Sequence, residues 1–282
     1  MNSVFSLVGK SPLRSSSPFR LSQYSIPASN GYLLDPSMVP QFAEAFVINS
    51  LLSITLKAMK TKSLTGQGLL HATILGVGLW TFLGAKGWSL GVAYFILGTL
   101  VTKLRMKEKE QLGIAEKRQG ARGPAQVWGS AAIAMICAML TYIFPYYANL
   151  FQIGVAVSLA TKLSDTCGSE IGKAFGKNTY LITTLKSVPR GTEGAVSLEG
   201  TLGGVAGSIL FSVIAYSLGF LHSIPEVLVS VGAAFLATTA ESYVGATYQN
   251  EKTRPWLTNE LVNLFNTFLG AALAMTAIYF FT

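Results

Sequence analysis

Eight apolar runs, each close to the length of a membrane crossing, follow one another along this chain at about 42–59, 67–84, 87–102, 126–144, 147–163, 195–219, 225–248 and 261–281. A bilayer core asks for about 20 apolar residues per helix and tolerates only backbone that satisfies its own hydrogen bonds. The expected fold is an all-α membrane protein, a polytopic helical bundle with about eight transmembrane helices. Glu44, Asn49 and Ser50 interrupt the first run, so seven spans is the alternative. Composition agrees, with 12% of residues charged against about 25% in soluble domains.

The basic residues give an independent check on the spans. The loops after the first, third, fifth and seventh runs hold sixteen of the 21 lysines and arginines, whereas those after the second, fourth and sixth hold Lys86 alone. Such alternation puts all four basic loops on one membrane face. It also accounts for the net charge of +8 without nucleic acid, since no folded basic surface is implied. The two cysteines, Cys137 and Cys167, stand thirty residues apart with no CxxC or histidine partner, which argues against a disulfide framework or zinc site.

Residues 1–30 contain nine serines, the bases Lys10, Arg14 and Arg20, and no acid. That composition reads as an organelle transit peptide over residues 1–35, with a disordered tail as the alternative. Residues 36–282 then form one polytopic domain. In an organelle of bacterial descent, its basic face would be the stroma or matrix.

A carboxylate within hydrocarbon costs at least ~2.5 kcal/mol on insertion scales, so acids beside the spans are the sharpest functional signal. Asp165, Glu170, Glu193 and Glu241 all fall near the basic-loop ends of their runs. Asp165 leads "DTCGSEIGKAFGKN", where Gly168, Gly172 and Gly176 recur at helical spacing. Those glycines admit close approach of a helix or of a phosphorylated ligand. "GKAFGKN" is one residue short of a P-loop and ends in Asn, so it is not one.

In "LKSVPRGTEGAVSLEGTLGG", Lys186 and Arg190 precede a turn of Gly191, Thr192, Glu193 and Gly194. The turn is read as opening the next helix, where free N–H groups and the positive dipole end make a phosphate cradle. A basic loop with Thr192 as helix cap is the plainer alternative. An acid among phosphate binders points to Mg²⁺, hence the weight placed on Glu193. In the next segment, Asn259, Asn263 and Asn266 repeat at i, i+4, i+7 and read as interhelical hydrogen-bonding groups. Within the mixed-sign loop 103–124, Arg122 is the residue placed to reach a phosphate.

"SDTCGSEIGKAFGK", "LITTLKSVPRGTEGAVSLEGTLGG", "ESYVGATYQ" and "GIAEKRQGARGPAQVWGS" together resemble the transmembrane-protein-19-like family of integral membrane proteins, over residues 45–280. Its plant plastid members are phytyl-phosphate kinases of tocopherol synthesis. More distantly, the Asp–Gly helix and Thr-Glu-Gly turn are similar to those of CTP-dependent polyprenol kinases and cytidylyltransferases. Glu241 stands where relatives often carry aspartate, and Trp128-Gly129-Ser130 replaces an expected Ala-Asn pair. The resemblance implies phosphoryl transfer from a nucleoside triphosphate, CTP being expected, to phytyl monophosphate, with Mg²⁺. It implies a chloroplast membrane, the envelope being expected, with the site facing the stroma. Asp165, Glu170, Glu193 and Glu241 are then the expected metal ligands, with Asp165, Lys186 and Glu193 as the catalytic set. Arg190, Gly191, Thr192 and Gly194 would bind nucleotide phosphate; Lys177 and Arg122 would hold the acceptor phosphate. A prenol kinase or cytidylyltransferase would share this site, and a transporter of a prenyl or lipid phosphate is the reading from another class.

Overall fold

Gly84 adopts φ 66° and ψ −164°, a combination in practice open only to glycine, and at this one residue the chain reverses. The computed structural model describes residues 38–59, 61–249 and 254–281; the transit-peptide segment 1–35 lies outside them. Among these residues are eight helices: α1 (Met38–Ala58), α2 (Gly66–Thr102), α3 (Met106–Gln111), α4 (Pro124–Ile143), α5 (Ala148–Phe175), α6 (Leu198–Leu218), α7 (Ile224–Tyr248) and α8 (Asn259–Phe281). Strands β1 (Tyr180–Leu181) and β2 (Ala195–Val196) form a small antiparallel pair between α5 and α6.

The reversal makes α2 a hairpin of two membrane-length halves. Gly68 and Gly98 both abut Arg122, yet in a straight helix they would lie about 45 Å apart. Asn49 of α1 likewise touches Gly76 in the first half and accepts a hydrogen bond from Trp88 Nε1 in the second, at 3.0 Å. The eight apolar runs thus correspond to α1, the two halves of α2, α4, α5, α6, α7 and α8. Six of the helices are long and apolar enough to cross a membrane by length and composition, with α2 counted once. α5 falls short because it carries Lys162, Asp165, Glu170 and Lys173. It spans nonetheless as the central helix, packed on α2, α4, α6, α7 and α8, with sixteen of its 28 residues buried.

The glycines after Asp165 serve helix packing. Gly168 and Gly172 of α5 face Gly200 and Gly204 of α6 so closely that a Cβ on Gly200 would come within 2.7 Å of the Gly168 carbonyl oxygen. Backbone contact of this kind replaces hydrophobic attraction, which lipid cannot supply between helices. Both cysteines are buried free thiols.

Four connections gather on one face. The 63–65 segment exchanges backbone hydrogen bonds with Arg122, Lys173 reaches Glu116, Gly191 packs on Ile114, and Gly194 packs on Ala246 near the end of α7. This is the face that the basic residues pick out. The turn Gly191–Gly194 does not open α6, contrary to the sequence expectation. Tyr180 and Leu181 pair with Val196 and Ala195, so β2 intervenes, and Ser197 is the cap, accepting from Gly200 N at 3.1 Å.

Candidate functional site

α5 turns Lys162 and Asp165, three positions apart, toward α7 and α8. Lys162 Nζ donates to Asp165 Oδ2 at 2.5 Å and to Asn263 Oδ1 at 2.8 Å. Both charged side chains are nearly buried, at 9% and 12% exposure. Glu241 of α7 lies within hydrogen-bonding reach of Asp165 and feels the charges of Lys162 and Glu193. Tyr94 of α2 lies close enough to Lys162 to interact with its charge. Four spans therefore meet at one polar cluster. It lies about 15 Å along α5 from the helix end on the basic face, by the rise per residue.

Charge arithmetic decides what this cluster suits. Two carboxyl groups so close hold a proton or a cation between them, and Lys162 offsets only one of the negative charges. No three acidic, histidine or cysteine side chains converge as a complete metal cage among the described residues. Mg²⁺ does not ask for one: it is typically held by one or two carboxylates, with water and substrate phosphate supplying the other oxygens. The Asp165–Glu241 pair fits that donor set.

Glu170 is placed elsewhere. It forms a buried ion pair with Lys109, whose ammonium also donates to Thr102 O at 2.7 Å, and a second pair with Lys173 at 3.3 Å. Lys173 in turn reaches Glu116 at 3.0 Å. This chain ties loop 103–123 to α5, and Glu170 is spent on it rather than gathered with Asp165. Burial opposes the charged form of Glu116, but the Lys173 ammonium beside it, with Lys162 and Lys109 beyond, holds the carboxyl below its usual range.

The loop between β1 and β2 roofs the basic face. Gly191 (φ 84°) packs on Ile114 and Gly194 (φ 70°) on Ala246, one turn beyond Glu241. Thr192 Oγ1 closes the turn on Pro189 O at 2.8 Å, and Glu193 is exposed above Glu241. Arg190 is turned to the C-terminal carbonyls of α5, Lys173 O and Ala174 O, at 3.4 and 3.5 Å. Lys177 and Lys186 are exposed on the same face. Arg122 leans over the rings of Tyr94 and Phe95, at 5.2 and 5.9 Å from their centroids.

Of the four acids expected as one set, the structure thus brings Glu241 to Asp165 with Glu193 above, leaves Glu170 apart on Lys109 and Lys173, and places the basic groups above the cluster. The sequence reading misses Lys162 and Lys109, whereas Asn263, read as an interhelical hydrogen-bonding group, is one, accepting from Lys162 across α5 and α8. Lys162 is the lone base within a long apolar run, three residues before the only membrane aspartate, and that spacing was the available signal. Lys109 lies among mixed charges that read as a solvated face.

A family model for integral membrane protein DUF92 matches residues 49–271. An uncharacterized membrane protein of Synechocystis is 50% identical over 240 residues, covering 85% of this chain and 92% of its own. Protein VTE6, chloroplastic, of Arabidopsis thaliana is 42% identical over 85% of this chain and 72% of its own. An uncharacterized membrane protein of Methanocaldococcus jannaschii is 32% identical over 79% and 89%. No solved structure matches.

Proposed function

The chain belongs to the integral membrane protein DUF92 family, and on that footing we propose that it is an isoprenoid-monophosphate kinase of the tocopherol pathway. It moves the γ-phosphoryl group of a nucleoside triphosphate, CTP in this reading, onto phytyl monophosphate. The new bond joins an acceptor phosphate oxygen to the γ-phosphorus. The β–γ bridging P–O bond breaks, and CDP leaves with phytyl diphosphate as product. The chloroplastic relative and the motif resemblance support the pathway and a plastid membrane; in this reading that membrane is the envelope, and the positive-inside alternation turns the basic face toward the stroma.

One observation carries the chemistry: a lysine–carboxylate–carboxylate cluster within the bundle, beneath a glycine-turn roof bearing Lys186, Arg190 and Thr192. The acceptor phosphate is anionic near neutral pH, so the reaction needs positioning and charge neutralisation more than a base. Asp165 and Glu241, with Glu193 above, would hold Mg²⁺, which when bound neutralises the phosphate oxygens. Lys162 fixes the orientation of Asp165. Lys186, with the Gly191–Gly194 turn, meets the nucleotide phosphates; Arg190 contributes charge there while capping α5. Lys177 and Arg122 meet the acceptor phosphate.

The test uses purified protein with phytyl monophosphate, Mg²⁺ and each γ-labelled nucleotide in turn. Labelled phytyl diphosphate, strongest with CTP, is the expected result. Released pyrophosphate instead would move the chain to the cytidylyltransferases, and turnover on free phytol to the prenol kinases. No nucleotide turnover with any lipid acceptor would overturn the proposal and leave transport of a prenyl phosphate to be tested.

A further inference from the structure

The Arg122 guanidinium makes no ion pair or side-chain hydrogen bond among the described residues. Its backbone is pinned, donating to Ser63 O and accepting from Thr65 N, both at 3.0 Å, so the side chain is held against Gly98 and the two rings. An uncompensated cation at the edge of a membrane bundle needs an anion. Below it runs an apolar slot between α1, the α2 hairpin, α4 and α5, lined by Leu52, Leu56, Leu75, Leu79, Phe95 and Leu159. The Trp88–Asn49 hydrogen bond closes its far end. From the level of Gly98, beside Arg122, to Trp88 is ten residues of helix, or about 15 Å.

We propose that this slot takes the hydrocarbon tail of a single-chain isoprenoid phosphate, with Arg122 on the phosphate and Trp88–Asn49 as the floor that limits chain length. The assignment rests on the kinase reading for its ligand class, and it adds where the tail lies and what selects it. Tyr94 joins the two places, with its ring under Arg122 and its hydroxyl end within reach of the Lys162 charge. Leu159 of the lining stands one turn before Lys162. A phosphate on Arg122 is thereby delivered beside the Lys162–Asp165–Glu241 cluster.

The slot holds about 100 Å³, below the ~300 Å³ at which ligand pockets begin, so α1 moves outward for a prenyl chain to enter from the bilayer. α1 is the helix placed to do so. It packs on the α2 hairpin, it is largely exposed, and its side chains hold on through Ser53–Thr73 at 2.6 Å and Asn49–Trp88. A narrow, single-file lining excludes two-chain lipids.

The experiment measures binding of tritiated phytyl monophosphate to the full chain in lipid nanodiscs, without nucleotide. Arg122→Gln is expected to weaken binding at least tenfold. The double variant Ser53→Cys/Thr73→Cys, with its disulfide verified by mass, is expected to lose binding when oxidised and regain it with reductant. Trp88→Ala should shift preference toward longer prenyl phosphates. Wild-type binding by Arg122→Gln and by the oxidised double variant would overturn the slot, as would equal competition by dioleoyl phosphatidic acid. Tight, Arg122-dependent binding with no turnover of any nucleotide would keep the slot and remove the kinase reading. Turnover that Arg122→Gln and the oxidised disulfide leave untouched would keep the kinase and remove the slot.

Discussion

Lys162 and Asp165 form an ion pair of 2.5 Å within the central helix of the bundle, with Asn263 of α8 as the ammonium's second acceptor. Removing one partner of a buried pair leaves an uncompensated charge, but here Glu241 stands ready to neutralise Lys162. Asp165→Asn is therefore expected to fold and to melt near the wild-type temperature while losing labelled phytyl diphosphate by roughly 10²-fold or more, the scale of deleting one preorganised electrostatic contact. Wild-type turnover in a well-folded Asp165→Asn protein removes Asp165 from the chemistry.

Lys109 offers the opposite separation. Lys109 is fully buried against Glu170 and lies outside the proposed reaction. Lys109→Met should cost about 3–5 kcal/mol, the usual penalty for breaking one side of a buried pair. Lys109→Met/Glu170→Met should recover most of that loss. Thermal melting of the three proteins checks this, and an additive loss in the double variant would contradict it.

Gly194 tests the roof. With φ 70° and a Cβ that would fall 2.4 Å from the Ala246 Cβ, Gly194→Ala must lift the turn from α7. Turnover should fall by more than tenfold while the melting temperature drops only modestly, since overpacking at one site costs ~1–3 kcal/mol. A loss confined to stability would make the turn a strut and nothing more.

Glu116 carries a pH dependence whose sign is fixed by its Lys173 contact. Its folded value lies below the ordinary 4.5, so its contribution to stability is present above that value and fades as pH falls through the lowered one. Glu116→Gln should melt lower than wild type at pH 7, with the gap closing as the pH falls below 4.5. Because the carboxylate is 44% exposed, solvent screening keeps the difference small. A gap that widens on acidification contradicts the assignment.

The spans and their sidedness were readable because hydropathy and loop charge act one segment at a time. Asp165 was readable because a lone acid in an apolar setting has few structural excuses. Glu170 was not separable from Asp165 by the same rule, since its partner Lys109 lies 61 residues earlier and carries no local mark. The helix expected to open at Gly191–Gly194 starts instead at Leu198, after β2, and that strand was not legible because two-residue strands are too short to show alternation. The reversal at Gly84 falls at the boundary of the runs 67–84 and 87–102, where hydropathy asks for a short loop; one glycine at positive φ suffices.

That single-residue reversal leaves little outside the membrane on its side. Apart from it, the far surface among the described residues is made of the brief connections 144–147 and 219–223, while the longer described connections between helices project the other way. Between its helices the described chain is therefore nearly blank to one compartment and legible to the other. In sealed vesicles a protease would cut the long connections between the described helices only in the population whose basic face is outward. A soluble regulator or delivery protein that docks on the connections between the described helices has that one face on which to act.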